Sequence, residues 1–233
     1  MTTPKPIDLL PDESPPDHPC ASTTLYQSDI ALLNYLLQDL RALMRRAATG
    51  QVRLLPHQRV TWEVHGLQRR TVVCDPDQLL AFDDVQVVGF FGDRRPTADV
   101  PAVDEVEIAL LEEFRSYPGI LSYSSVELVD DQWANLVVHQ QPSDREAWRE
   151  SAVHVDAVDR IAPPTYQSVR IHNGCIMGGV IGPETVVIES TKYWDYDATP
   201  TWHAIRVLPG GATETLESPG ADLNHPIPPR GTP

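Results

Sequence analysis

The sequence predicts an α+β protein whose centre is a β-α-β-β-α-β unit, one antiparallel sheet with both of its helices on the same face. Three observations predict it. Two stretches with helical spacing, 103–116 and 143–160, separate four short strand-like segments in that order. A polar interruption, Val129-Asp130-Asp131-Gln132, has the length of a hairpin between the second and third of those segments. A chain of 233 residues with 41% apolar content can also bury a core without disulfides or metal.

Residues 1–23 are rich in Pro, Asp, Ser and Thr and read as a flexible N-terminal tail. From Ser28 to Ala48 the apolar positions Ile30, Leu33, Leu37, Leu40 and Met44 recur every three or four residues, and Gly50 supplies the stop. That is an amphipathic helix. Residues 51–75 alternate and are β-branched in places, which predicts short strands around a turn at His65-Gly66. The span 24–80 is thus an N-terminal helix with short strands, and the central domain runs over 81–208. Its first strand is Val85 to Gly92 (VQVVGFFG), a run suited to a buried strand. The first helix, Val103 to Ser116, carries Val103, Val106, Leu110 and Phe114 on one stripe and stops at Tyr117-Pro118-Gly119. Leu121 to Leu128 and Trp133 to His139 supply the second and third strands. The second helix, Ser143 to Arg160, opens with a cap-like Ser143 followed by Glu146 and ends before Pro163-Pro164. Thr165 to Cys175 is the fourth strand, and 185–191 with 202–208 form an appended C-terminal β-hairpin. Residues 209–233 read as a second flexible tail.

Bulk properties exclude several function classes. With a net charge of −15 and no Lys/Arg stripe interleaved with aromatics, the chain would be repelled by phosphate backbones, so nucleic acid is not an expected partner. The pairs Arg45-Arg46, Arg69-Arg70 and Arg94-Arg95 read as helix ends and strand edges. Cys20, Cys74 and Cys175 form neither a disulfide framework nor a zinc motif and suit a reducing, cytoplasmic compartment. There is no leader-like start and no stretch long enough to span a bilayer, so no membrane is expected. Without HxH, HxxxH or HExxH, no metal site is predicted. Asn173-Gly174 and Gly178-Gly179 read as turns, with no helix start after them to hold phosphate.

A β-α-β-β-α-β unit leaves one sheet face uncovered, and pairing with a second copy is the common solution, so a homodimer is expected. On the fourth strand Val169 and Ile171 are expected to face the helices, leaving Tyr166, Ser168, Arg170 and His172 on the open face. On the third strand Ala134, Leu136 and Val138 are assigned to the helices, and Trp133, Asn135 and His139 to the open face; the second strand adds Ser122, Ser124 and Val126 there. That face is polar. It reads either as a hydrogen-bonded interface or as a pocket in which Arg170 anchors an anion and His139 or His172 moves protons. Asn135 and Tyr166 become candidate substrate contacts. Tyr193, Trp194 and Tyr196 either line that pocket or fill the extra hairpin.

The element order from Val85 to Cys175 and the phrase AWRESAVHVDAV on the second helix resemble the dimeric α+β barrel superfamily, in particular its antibiotic-biosynthesis monooxygenase and haem-degrading branches. The resemblance implies a ferredoxin-like βαββαβ sheet paired into a barrel, with a pocket between sheet and helices. That pocket would host oxygen chemistry on aromatic or porphyrin substrates, with haem or no cofactor at all. Trp148 would inherit a substrate-binding role and His154 that of a haem ligand. The first strand departs from the family pattern in lacking an asparagine. The function expected from the resemblance is that of a small-molecule enzyme, a cofactor-lean or haem-associated monooxygenase-like oxidoreductase, with a non-catalytic ligand-binding or protein-assembly module of the same fold as the alternative.

Overall fold

A computed structural model of the chain describes residues 5–64, 66–128 and 133–213. Its elements are β1 (Ile7–Leu9), α1 (Thr23–Ala48), β2 (Gln58–Val64), β3 (Leu67–Val73), α2 (Pro76–Ala81), β4 (Asp84–Arg94), α3 (Val100–Glu113), β5 (Ile120–Glu127), β6 (Trp133–His139), α4 (Pro142–Arg149), α5 (Ala152–Asp156), α6 (Ala162–Thr165), β7 (Tyr166–Met177), β8 (Val187–Asp195) and β9 (Trp202–Ala212). The strands make one sheet in the order β1-β9-β8-β7-β4-β6-β5-β3-β2. Every pairing is antiparallel except β1 with β9.

The protein is α+β, as the sequence predicts, and the β-α-β-β-α-β order is present in β4, α3, β5, β6, α4–α6 and β7. Its four strands do not form a sheet of their own, however. They lie at the centre of a nine-stranded one, extended by β8 and β9 beyond β7 and by β3 and β2 beyond β5. The second helix is also not continuous. It breaks at Ser151, whose backbone is extended and whose Oγ caps α5 by accepting from the His154 N–H at 3.0 Å, and it passes through a π-helical turn, Ala157–Ile161, before α6.

The main correction concerns the open face. α1 lies across it, burying Ile30, Leu33, Leu36, Leu37, Leu40 and Met44 against Val85, Val87 and Phe91 of β4 and Ala134, Leu136 and Val138 of β6. The spacing i, i+3, i+4, i+7 gives the helix one apolar stripe, and the sheet supplies its partner. Close approach is possible because β4 has a glycine at the crossing: a Cβ on Gly89 would lie 2.7 Å from the Leu33 methyls. Buried polar groups fix the register. The Asn34 side chain accepts from the Val186 N–H at 2.8 Å, and Arg41 donates to the carbonyls of Val180 and Glu184 at 2.8 and 2.7 Å. The homodimer was expected because this face had to be covered, and α1 removes that requirement.

A smaller core on the other face joins Phe114, Tyr123, Val137 and Trp148 under α3 and α4. The N-terminal segment departs from the expected tail: β1 pairs with β9, Cys20 and Ala21 are buried, and His18 stacks on Trp202 with ring centroids 4.0 Å apart. Residues 209–212 likewise extend β9. Residue 65 of the predicted turn, the hairpin at 129–132 and the tail from 214 lie outside the described residues. No described helix is long and apolar enough to cross a membrane.

Candidate functional site: a cleft between the sheet and its broken helix

Strand alternation sends one set of side chains to α1 and the other toward α3–α6. The second set includes Val88 and Phe90 of β4, Tyr123 of β5, Trp133, Asn135 and Val137 of β6, and Ile171 of β7. With Leu110 and Glu107 of α3, Trp148 of α4 and His154 of α5 they line a largely apolar cavity of about 210 Å³. An adjoining cavity of about 340 Å³ shares Val88, Phe90, Trp148, His154 and Ile171 and continues past Arg145, Arg149, Lys192, Trp194 and Tyr196. Together they form a two-ended cleft. The helices over it pack loosely: neither α3 nor α5 contains a fully buried residue, and Ile108 and Val155 are exposed.

Polar atoms interrupt the apolar wall at a few places. Asn135 Oδ1 and Trp148 Nε1 are buried and have no hydrogen-bond partner among the described residues, so each is available to a ligand group of matching polarity. His154 stands edge-on to Trp148, with centroids 4.7 Å apart. Burial, then the neighbouring Arg149, holds its pKa below the ordinary histidine value against the opposing pull of Glu113, so the imidazole is neutral at neutral pH. At the α3 end Tyr123 Oη donates to Glu107 at 2.8 Å, Arg70 pairs with Glu107, and Arg70 Nε donates to Ser125 at 2.7 Å beneath the Trp133 ring. Burial pushes the Tyr123 phenol up to about 12.

The sequence-predicted residues divide between the two sheet faces. Trp148, His154, Asn135 and Tyr166 all line the cleft. Trp133, Asn135 and His139 of β6 are expected from the sequence on the opposite face. The β6 assignment is reversed because its apolar residues Ala134, Leu136 and Val138 meet α1, not α3–α6. Tyr166 reaches the cleft through an irregularity in the β4–β7 pairing between Asp93 and Arg94, which changes the face for one residue; its ring closes over Gly92, where a Cβ would lie 2.4 Å from it. His139 is fully buried on the cleft side against Trp148, and both ring nitrogens lack partners among the described residues. Burial, then Arg145, lowers its pKa to about 3.

Arg170 and His172 lie on the other side of the sheet, as their strand register predicts, but sealed under α1. Arg170 grips Asp29 through Nε at 2.5 Å and Nη2 at 3.1 Å and reaches Asp93 at 3.1 Å. His172 bridges Asp29 at 3.1 Å and the Thr191 hydroxyl at 2.8 Å. Burial alone would raise the Asp29 carboxyl, yet the Arg170 charge and the hydrogen bonds from His172 and Arg170 leave it below the usual carboxylate range. This guanidinium is satisfied inside the chain, and the sheet separates His172 from His139. The three residues proposed as one acid/base and anchoring set do not converge. Of the aromatic cluster, Tyr193 is fully buried beside Arg206 while Trp194 and Tyr196 line the cleft.

Sequence reasoning missed Lys192, Arg145, Arg149, Glu107 and Tyr123. The alternation of β8, with Thr191 and Tyr193 inward on one face and Lys192 and Trp194 on the other, was the available signal for Lys192 and Trp194. Among the described residues no group of three or more His, Cys, Asp or Glu side chains is placed to hold a metal ion.

No family model matches the chain, and no curated protein matches it. Among solved structures it is similar to protein SO0527 from Shewanella oneidensis, at 10% identity and a TM-score of 0.36, and to a variant of SnoaB, a cofactor-independent oxygenase from Streptomyces nogalater, at 11% identity and a TM-score of 0.32. Each likeness covers 42% of this chain and 94% of the other.

Proposed function

We propose that the chain is a small-molecule enzyme working in the cleft under α3–α6, a monooxygenase-like oxidoreductase that needs little or no dedicated cofactor. In this reading β4–β7 and their helices form a ferredoxin-like unit of dimeric-barrel type in which α1 takes the place of a second copy. The carrying observation is the convergence of a neutral imidazole, His154, with the unpartnered Trp148 Nε1 and Asn135 Oδ1 on one apolar cavity. Aromatic walls suit a flat, apolar substrate, and the two polar atoms suit its carbonyl and hydroxyl groups.

The role assigned to His154 is that of general base. Removing a proton from a phenol or an activated CH₂ leaves an electron-rich anion able to reduce dioxygen directly. In the balanced reaction a CH₂ becomes C=O, with one atom of O₂ entering the product and the other leaving as water. The low pKa of His154 keeps it unprotonated for this role.

Haem is the other group that the sequence resemblance brings in, and a neutral imidazole is a suitable iron ligand. Bound haem would supply dioxygen activation. His154 would hold it within the same cleft.

Hydroxyaromatic probes titrated against tryptophan fluorescence, with oxygen uptake measured in parallel, test the proposal. Binding that Trp148→Ala weakens, with oxygen consumption that His154→Ala abolishes while binding survives, is the expected result. Binding without uptake in the wild type would favour the ligand-binding module instead. A Soret band on adding haemin, lost in His154→Ala, would assign haem.

A further inference from the structure

The far end of the cleft differs from the near one. Lys192 lies half-buried on β8, between Ile171 of β7 and Ile205 of β9 in the pairing, and its ammonium has no hydrogen bond or ion pair among the described residues. Arg145 and Arg149 line the same end and share a single carboxylate, Glu146, at 3.0 and 2.9 Å. Glu146 stands behind the arginines, and Asp159 is the acid in the lining itself. Three cations against two carboxylates leave this end positive in a chain of net charge −15.

A half-buried lysine beside two arginines is disfavoured by desolvation and by like charge; burial, then Arg149 and Arg145, lower its pKa against the opposing pull of Glu146. Next to it Trp194 stacks on His203 at 4.6 Å, and both ring nitrogens of His203 lack partners among the described residues. An ammonium with no direct hydrogen bond or ion pair among the described residues, its nearest acid Glu146 already bonded to Arg145 and Arg149, stands beside an imidazole without a partner at the end of an apolar slot, the complement of an acid group on an aromatic body.

We propose that Lys192, supported by Arg145 and Arg149, binds a carboxylate on the substrate, so that the cleft takes amphipathic aromatic acids with the apolar body toward Trp148 and the acid toward β8. The inference rests on the cleft being the binding site. It adds the charge and orientation of the ligand. Lys192 and His154 then lie on one elongated cavity, the first holding the acid and the second facing the ring system.

Matched probes separate the two levels of the claim. 2-Naphthoate and methyl 2-naphthoate share the body and differ in the charge. Titrated against tryptophan fluorescence at low salt, the acid should bind about ten to a hundred times more tightly than the ester, the range for one charge-assisted hydrogen bond. Lys192→Met should remove that preference while leaving the ester's affinity unchanged and the melting temperature equal to or above that of the wild type, and Lys192→Arg should restore most of the preference. Equal binding of acid and ester by the wild type, or a preference that survives Lys192→Met, overturns the carboxylate subsite and leaves the cleft standing. Binding of neither probe overturns both.

Discussion

Replacing Asp29 by alanine tests the packing of α1 at its most charged point. The carboxylate is 4% exposed and accepts two hydrogen bonds from Arg170 and one from His172. Without it the hydrogen bonds left among the described residues are that of Arg170, itself 1% exposed, to Asp93 and that of His172 to Thr191. Breaking a buried pair by removing one partner costs about 3–5 kcal/mol, since the remaining charge stays desolvated. At about 2–4 °C per kcal/mol for a chain of this size, the melting temperature should fall by about 6–20 °C. Urea unfolding should show a lower midpoint at an unchanged slope. The double variant Asp29→Ala/Arg170→Met should cost less than the sum of the single changes, because the pair forms one unit. A loss below about 1 kcal/mol for Asp29→Ala, the range of a surface ion pair, would refute the seating of α1 on β7.

Gly89→Val should destabilise by about 1–3 kcal/mol through its clash with Leu33, read as a shift of the urea midpoint. The folded-state pKa of His139, about 3, is depressed from the ordinary value near 6.5, so its contribution to stability is complete above about pH 6.5 and is lost as pH falls toward 3; His139→Leu should flatten the stability curve across that window, and an unchanged slope would show that another group governs it. Light scattering at micromolar concentration should return the mass of one chain, since α1 already covers the sheet; a dimer that persists on dilution would place a second copy elsewhere on the molecule.

Local patterning made much of this legible. The 3.6-residue spacing of α1, the order of the central elements and the face of β7 that carries Arg170 and His172 are present in the sequence as the structure has them. What patterning could not say is which layer each face meets. With helices on both sides of the sheet, alternation in β6 sorts Ala134, Leu136 and Val138 from Trp133, Asn135 and Val137 without telling α1 from α3. The assignment was therefore reversed, and Asn135 entered the candidate site from the opposite side. Tyr166 crossed over through an irregularity between strands that no single strand encodes. Partner identity was equally hidden: Asp29 is 141 residues from Arg170 in the chain, and nothing near either residue marks the other.

The attachment of α1 to the sheet also sets how the fold responds to dilution. A cover donated by a separate copy leaves its face as concentration falls, and stability falls with it. Here the covering helix is linked to β2 through residues 49–57, so its local concentration is fixed by a short linker and not by the amount of protein in solution. Seated by Asp29, Asn34 and Arg41, it covers the sheet from within the same chain. The cleft on the far face thus has a backing that does not come and go with assembly.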